Sequence, residues 1–227
     1  MPLLFSEHSL EFDGTQYVSI GDVTELNFDS SDPFSISCWF KASTQSADNV
    51  LVSKSDATAP QRGWGLFLRS TGEIRFLLRS DSTGDLSLRV DTTASFDNDR
   101  WYHAVVTYDG SATAAGVGIY VGAEAVSIST VTDALGSPMT NSVSASIGSR
   151  ADSDLEFEGF IDDVAVYDKA LSPSEVATIY NFGEPVDLTS VGPTGNLVGF
   201  WAMGDGATFP TVPDLSANSN DGTMTNM

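Results

Sequence analysis

The sequence predicts an all-β fold, an antiparallel jelly-roll sandwich, and three observations lead to it. Short apolar runs recur between clusters of Gly, Asp, Asn and Ser, the rhythm of strands parted by turns. One segment only carries the apolar spacing of a helix. Hydrophobic residues make up 41% of the 227, enough for a continuous core, and sandwiches of this length often form one unit.

The expected strands, in order, are Leu10–Phe12, Tyr17–Ile20, Phe34–Lys41, Asn49–Lys54, Gly65–Arg69, Ile74–Arg79, Leu86–Val90, Tyr102–Tyr108, Gly118–Val121, Ala125–Ser129, Ser144–Ile147, Phe160–Tyr167 and Gly199–Met203. Ser70-Thr71-Gly72-Glu73 lies between two of these runs and reads as a hairpin turn. In the eighth run, alternation puts Tyr102, Ala104, Val106 and Tyr108 on one face and Trp101, His103, Val105 and Thr107 on the other. Neither face is charged, so this strand is expected at the centre of a sheet, covered on both sides.

The helix is expected over 173–182. Ser172 is its N-cap, Pro173 its first residue and Glu175 the third, a capping box. Val176, Ile179 and Tyr180 form its apolar stripe, and Gly183 can end it. The polar stretch Glu184–Asn196 reads as a linker. The chain is thus one domain over 1–227: a main sandwich (1–183), the linker (184–196), and a C-terminal strand and loop (197–227) that complete it.

The formal charge is −21, and 22 of the 31 acids are Asp. So acidic a surface repels nucleic acid and anionic lipid and favours cations. Asp is short, turn-forming and a frequent calcium ligand, which points to acidic loops. The one cysteine, Cys38, falls in an apolar run and reads as a core residue. The start, Met1–Glu7, lacks the pattern of a secretion signal, and no run of about 18 apolar residues is present for membrane insertion.

Four stretches resemble a known family. They are Leu10–Gly14 with Tyr17–Ile20; Phe34-Ser35-Ile36-Ser37-Cys38-Trp39-Phe40-Lys41; Trp101-Tyr102-His103-Ala104-Val105-Val106-Thr107-Tyr108-Asp109-Gly110; and Phe157–Tyr167 running into Ala170-Leu171-Ser172. Together they resemble the laminin-G-like, pentraxin-like branch of the concanavalin A-like lectin/glucanase jelly rolls. The resemblance departs in order. An element usual at the family's N-terminus falls here at the C-terminus, Leu197–Gly206 followed by Asp214–Met224, so the chain looks circularly permuted. The tail strand is expected beside the Phe12 strand, either of its own domain or of a neighbouring subunit.

A calcium ion is the first chemical candidate. Asp214, Asn218, Asn220 and Asp221 supply oxygens within eight residues, and the resemblance implies that this loop meets Asp162. Alternation places Asp162 on the Phe160/Val164/Val166 face, pointing inward. The alternative is a loop of Asx turns with a hydrogen-bonded Asp162. Asp154, Glu156 and Glu158 (with Asp152 just before) could form a glycosidase pair, but a solvated acidic edge fits better. Trp39, Trp64, Trp101 and Trp201 could stack on sugars, though apolar strand surroundings favour core roles.

The leading expectation is a non-enzymatic structural or recognition protein of a virion, decorating a capsid or tail. Its partners would be other virion or surface proteins and host glycans, and it would be a homo-oligomer. The alternative is a calcium-dependent carbohydrate-binding module of a bacterial surface protein, extracellular or on the cell surface; a glycoside hydrolase comes third.

Overall fold

The computed structural model describes residues 8–58, 61–80, 86–151 and 154–227. Along the chain run β1 (Leu10–Asp13), β2 (Tyr17–Gly21), β3 (Phe34–Ala42), β4 (Asn49–Ser55), β5 (Gly63–Leu68), β6 (Ile74–Arg79), β7 (Ser87–Thr92), β8 (Tyr102–Tyr108), β9 (Val117–Val121), β10 (Glu124–Ala125), β11 (Ile128–Asp133), β12 (Ala145–Ile147) and β13 (Glu158–Tyr167). Then come the helix α1 (Pro173–Tyr180), β14 (Leu197–Trp201), β15 (Thr211–Val212) and β16 (Gly222–Thr225).

Two antiparallel sheets form the sandwich. The seven-stranded one runs β1-β13-β3-β8-β9-β10, with β14 also on β13; the nine-stranded one runs β11-β7-β6-β5-β4-β12-β2-β16-β15. The core lies between them, built from alternate residues such as Ile36, Cys38 and Phe40 of β3, Leu66 and Leu68 of β5, and Ile74, Phe76 and Leu78 of β6. A smaller apolar layer covers the outer face of the seven-stranded sheet. There Val176 and Ile179 of α1, with Leu188, pack on Val105, Ala165, Tyr167 and Phe200. β8 is therefore central and covered on both sides, as its uncharged faces predict.

Local chemistry explains the ends of several elements. Ser172 Oγ accepts from Glu175 N while Glu175 takes the Ser172 N–H, so the expected capping box is formed. The helix stops earlier than expected, because Asn181 and Phe182 already adopt left-handed φ of 46° and 59° before Gly183. The Ser70–Glu73 turn closes with Gly72 N donating to Arg69 O at 2.9 Å. The expected strand Ala125–Ser129 divides instead: β10 ends in one sheet at Ala125, and β11 begins in the other at Ile128. The Glu184–Asn196 stretch is packed rather than free, since Leu188 is buried against α1 and β14.

β14 does not lie beside the Phe12 strand but in line with it. β1 pairs with Glu158–Ile161 of β13, and β14 pairs with Val164–Tyr167 on the same edge. The two half-strands meet where Asp205 accepts from His8 N at 3.1 Å. β16 joins the opposite sheet beside β2. Trp201 ties the two additions together, its buried indole donating to Asn220 O at 3.0 Å.

Candidate functional site

On the outer face of the seven-stranded sheet, three neighbouring strands align Asp162 (β13), Trp39 (β3) and His103 (β8) side by side. Trp39 points outward because Ile36, Cys38 and Phe40 hold the core face. Asp162 shares its side for a different reason. The β13–β3 register shifts between Asp162 and Ala165, and Asp163 takes a left-handed φ of 44°. This bulge resets the alternation, so that Ile161, Val164 and Val166 face the core. The expected inward Asp162 is corrected by one extra residue that no count of alternation contains.

The row opens into a cleft of about 230 Å³ lined by Trp39, Trp101, Asp162, Gly183 and Pro185. Tyr180 of α1 stacks over Trp39 at 5.9 Å and over His103 at 5.6 Å, fixing one wall. Trp101 forms the other, 6.4 Å from Phe160, over which Lys41 Nζ sits at 4.7 Å. Trp101 is 42% exposed, and Phe182, next to the cleft-lining Gly183, is 96% exposed. A left-handed Phe costs roughly 1–2 kcal/mol and persists only where its surroundings impose it. The cleft is smaller than the ~300–1,000 Å³ that holds a drug-sized ligand. It suits one or two sugar rings, with an indole for the apolar ring face and a carboxylate for hydroxyl donors.

Burial removes His103 from acid–base chemistry. His103 is buried, shares a 2.8 Å hydrogen bond with Ser37 Oγ, and burial pushes its pKa down to about 3. It is neutral over the physiological range. Asp163 is buried with Oδ1 unpartnered, and burial first, then the charges of Asp162 and Asp205, raise its carboxyl to about 8. Asp162 Oδ1 accepts from Asp163 N at 2.9 Å and the residue still borders the cleft.

The expected calcium loop has a different organisation. Asp214 Oδ1 accepts from Phe200 N and Ser216 N, and Oδ2 accepts from Ser216 Oγ and Asn220 N, all at 2.9 Å. All four lone-pair positions of that carboxylate are therefore filled by the chain itself. Asp221 Oδ1 accepts from Asp214 N, Asn218 Nδ2 donates to Val198 O, and Asn220 O accepts from Trp201. Asp214, Asn218, Asn220 and Asp221 are brought together in a hydrogen-bonded loop, with an Asx turn at Asp214, that pins the tail to β14, while Asp162 lies in the cleft. Among the described residues no group of three or more His, Cys, Asp or Glu is arranged to hold a metal ion. This donor set does not fit calcium.

The acidic stretch also departs from a shared strand face. Leu155 has a left-handed φ of 56°, Asp154 is paired with Arg150, and only Glu158 lies in β13, accepting from Thr44. Asp152 lies outside the described residues. Of the four tryptophans, Trp64 and Trp201 are core, leaving Trp39 and Trp101 at the surface. Sequence reasoning missed that Gly183 and Pro185 line the cleft; the Asn181-Phe182-Gly183 exit from the helix was its one visible signal.

A family model described as the concanavalin A-like lectin/glucanases superfamily matches residues 12–177. Among solved structures, a candidate carbohydrate binding protein from Bacteroides ovatus superposes with a TM-score of 0.64 at 17% identity, covering 96% of this chain and 58% of its own. The CBM40 of a Ruminococcus gnavus sialidase, bound to α2,3 sialyllactose, gives 0.58 at 16% identity, covering 77% of this chain and 97% of its own. A mutant NanB sialidase from Streptococcus pneumoniae gives 0.56 at 20%, covering 78% of this chain and 28% of its own. At these identities the likeness is one of fold, and this chain spans little more than half of the first of them. No curated protein matches the chain.

Proposed function

Since the chain belongs to the concanavalin A-like lectin/glucanase superfamily, we propose that it binds carbohydrate without cleaving it, through the Trp39–Trp101 cleft. The observation that carries this reading is the pairing of an exposed indole with a buried carboxylate: Trp101 at 42% and Asp162 at 8% exposure border one small cleft. A sugar has the matching surface, C–H groups on its faces and hydroxyl donors at its rim. With the Asp162 carboxylate at its edge, the cleft selects a neutral sugar. The absence of a cleavage role rests on the placing of the carboxyls: of the adjacent Asp162 and Asp163, Asp162 lines the cleft and Asp163 is buried, so the two carboxyls do not flank a bound sugar as the acid–nucleophile pair of glycoside hydrolysis does.

Of the settings the sequence raised, glycan binding has the support of the family and of carbohydrate-binding neighbours of the same fold. A place on a virion rests on the resemblance alone, as do circular permutation and oligomerisation. Calorimetric titration with a panel of neutral oligosaccharides tests the reading. Wild type is expected to bind at least one, and Trp101→Ala to weaken it by about tenfold or more, the loss typical of a stacking anchor. Wild type that binds none of the panel, or Trp101→Ala that binds like wild type, would overturn it.

A further inference from the structure

The opposite face of the sandwich has another chemistry. The sequence holds 10 Lys and Arg against 31 acids, yet four of the ten, Arg69, Arg75, Arg79 and Arg89, lie at the end of β5 and along the adjacent β6 and β7. Arg75, Leu77 and Arg79 point out of the sheet because Ile74, Phe76 and Leu78 hold the core side. Arg89 stands directly opposite Leu77 in the β6–β7 register, with Arg75 and Arg79 on its two diagonals. The floor beside them is apolar: the Phe67 ring, facing Arg75 across the strands, folds over Gly65.

Three of these arginines are engaged. Arg75 makes a bidentate pair with Asp91, at 2.8 and 2.9 Å, and a further contact with Asp48 at 3.2 Å. Arg69 sits between Glu73 at 3.6 Å and Asp91 at 3.5 Å. Arg79 donates to Gln61. Arg89 alone among the four makes no side-chain hydrogen bond or ion pair among the described residues, and its Nε, like those of Arg69 and Arg79, is buried without a partner. We propose that Arg89 marks a second binding site, for the carboxylate or sulfate group of an acidic sugar laid over β6 and β7.

The buried Nε of Arg89 lacks an acceptor while the rest of the side chain is only half-buried, and an oxyanion supplies acceptors in a planar fork that matches a guanidinium. Burial first, then the like charge of Arg75, hold the Arg89 guanidinium below its usual range; Asp91 pulls the other way, ahead of the push of Arg69 and the weaker pull of Asp48. An arriving anion relieves both effects. The chain's overall negative charge does not forbid it. Screening reduces charges beyond about 8 Å at physiological salt, so the arginines in contact decide. The anion site stands on the arginines; its sugar part rests on the glycan reading above, though not on the Trp39–Trp101 cleft.

The test uses the full chain as wild type, Arg89→Gln, Arg89→Lys and Trp101→Ala. Titration with sialyllactose, lactose sulfate and lactose separates carboxylate, sulfate and neutral sugar; thermal unfolding with inorganic sulfate reads the anion site alone. Wild type is expected to prefer one or both acidic sugars over lactose by about tenfold or more, the scale of a charge-assisted pair. Arg89→Gln should erase the preference and Trp101→Ala keep it. Arg89→Lys should keep part of it, since an ammonium retains charge but not the fork. Equal binding of all three sugars, or a preference that survives Arg89→Gln, overturns the proposal. If no sugar binds but sulfate raises the melting temperature of wild type and not of Arg89→Gln, the glycan reading has failed and the anion site stands. Neither response overturns both.

Discussion

His103 shows how far one residue's surroundings set its chemistry. Its ring touches Trp39 at 4.9 Å and Tyr180 at 5.6 Å, one nitrogen bonds Ser37 and the other, Nδ1, has no partner. With a folded pKa of about 3 against an ordinary value of 6.5, the unfolded chain takes up a proton that the folded one refuses. Stability from this group is therefore complete above pH 6.5 and falls as the pH drops toward 3, at up to about 1.4 kcal/mol per pH unit. Chemical denaturation between pH 7 and pH 4 should show a shallower decline for His103→Gln than for wild type; parallel declines would contradict the assignment. Cys38 has the same cause with the opposite direction, since burial pushes its thiol up to about 12. Asp214, expected as a metal ligand, is instead the hub of a hydrogen-bonded turn, because the chain's own donors fill the lone-pair positions of its carboxylate.

At the scale of elements, α1 and β13 decide the shape of the cleft. α1 has only eight residues and depends on its capping box and on Val176 and Ile179 beneath it. Ser172→Ala should lower stability by about 1 kcal/mol, and the change should also loosen Tyr180 over Trp39. Urea unfolding and the near-ultraviolet dichroism of the aromatic stack read the two effects; neither changing would mean that the cap is idle. β13 contributes through its defects. Gly159, at φ 140°, sits where an added Cβ would fall 2.2 Å from Lys41 O, so no other residue fits. Four residues on, the Asp163 bulge turns Asp162 outward. A strand of perfect alternation would have placed that carboxylate in the core, where it has no counter-charge.

For the whole molecule, the tail is the element most at issue. β14 extends the β1 edge of one sheet and β16 extends the other, so residues 197–227 touch both. They bring Phe200, Trp201 and Met203, all fully buried, to the two apolar layers. Losing one large aromatic from a core costs roughly 3–5 kcal/mol, against a total stability of about 5–15 kcal/mol. Removal of 197–227 should therefore abolish the cooperative unfolding transition, while Trp201→Ala alone should leave a folded but weakened protein. A truncated chain that melts like the full one would show that the tail adds nothing to either layer.

The sequence by itself determined the class of fold, the helix with its cap, the hairpin at Ser70–Glu73 and the central place of β8. Each of these follows from local pattern: alternation, capping chemistry, turn residues and the absence of charge on two faces. It also marked Trp39, Trp101 and Asp162 as residues of interest, though for separate reasons. Only the tertiary structure joined them, because their shared row depends on pairings across some 120 residues of chain and on a bulge that shifts the register by one. The same holds for Arg89. Nothing in its own segment distinguishes it from Arg75 or Arg79; what leaves it without a partner is which carboxylates the neighbouring strands happen to carry opposite it.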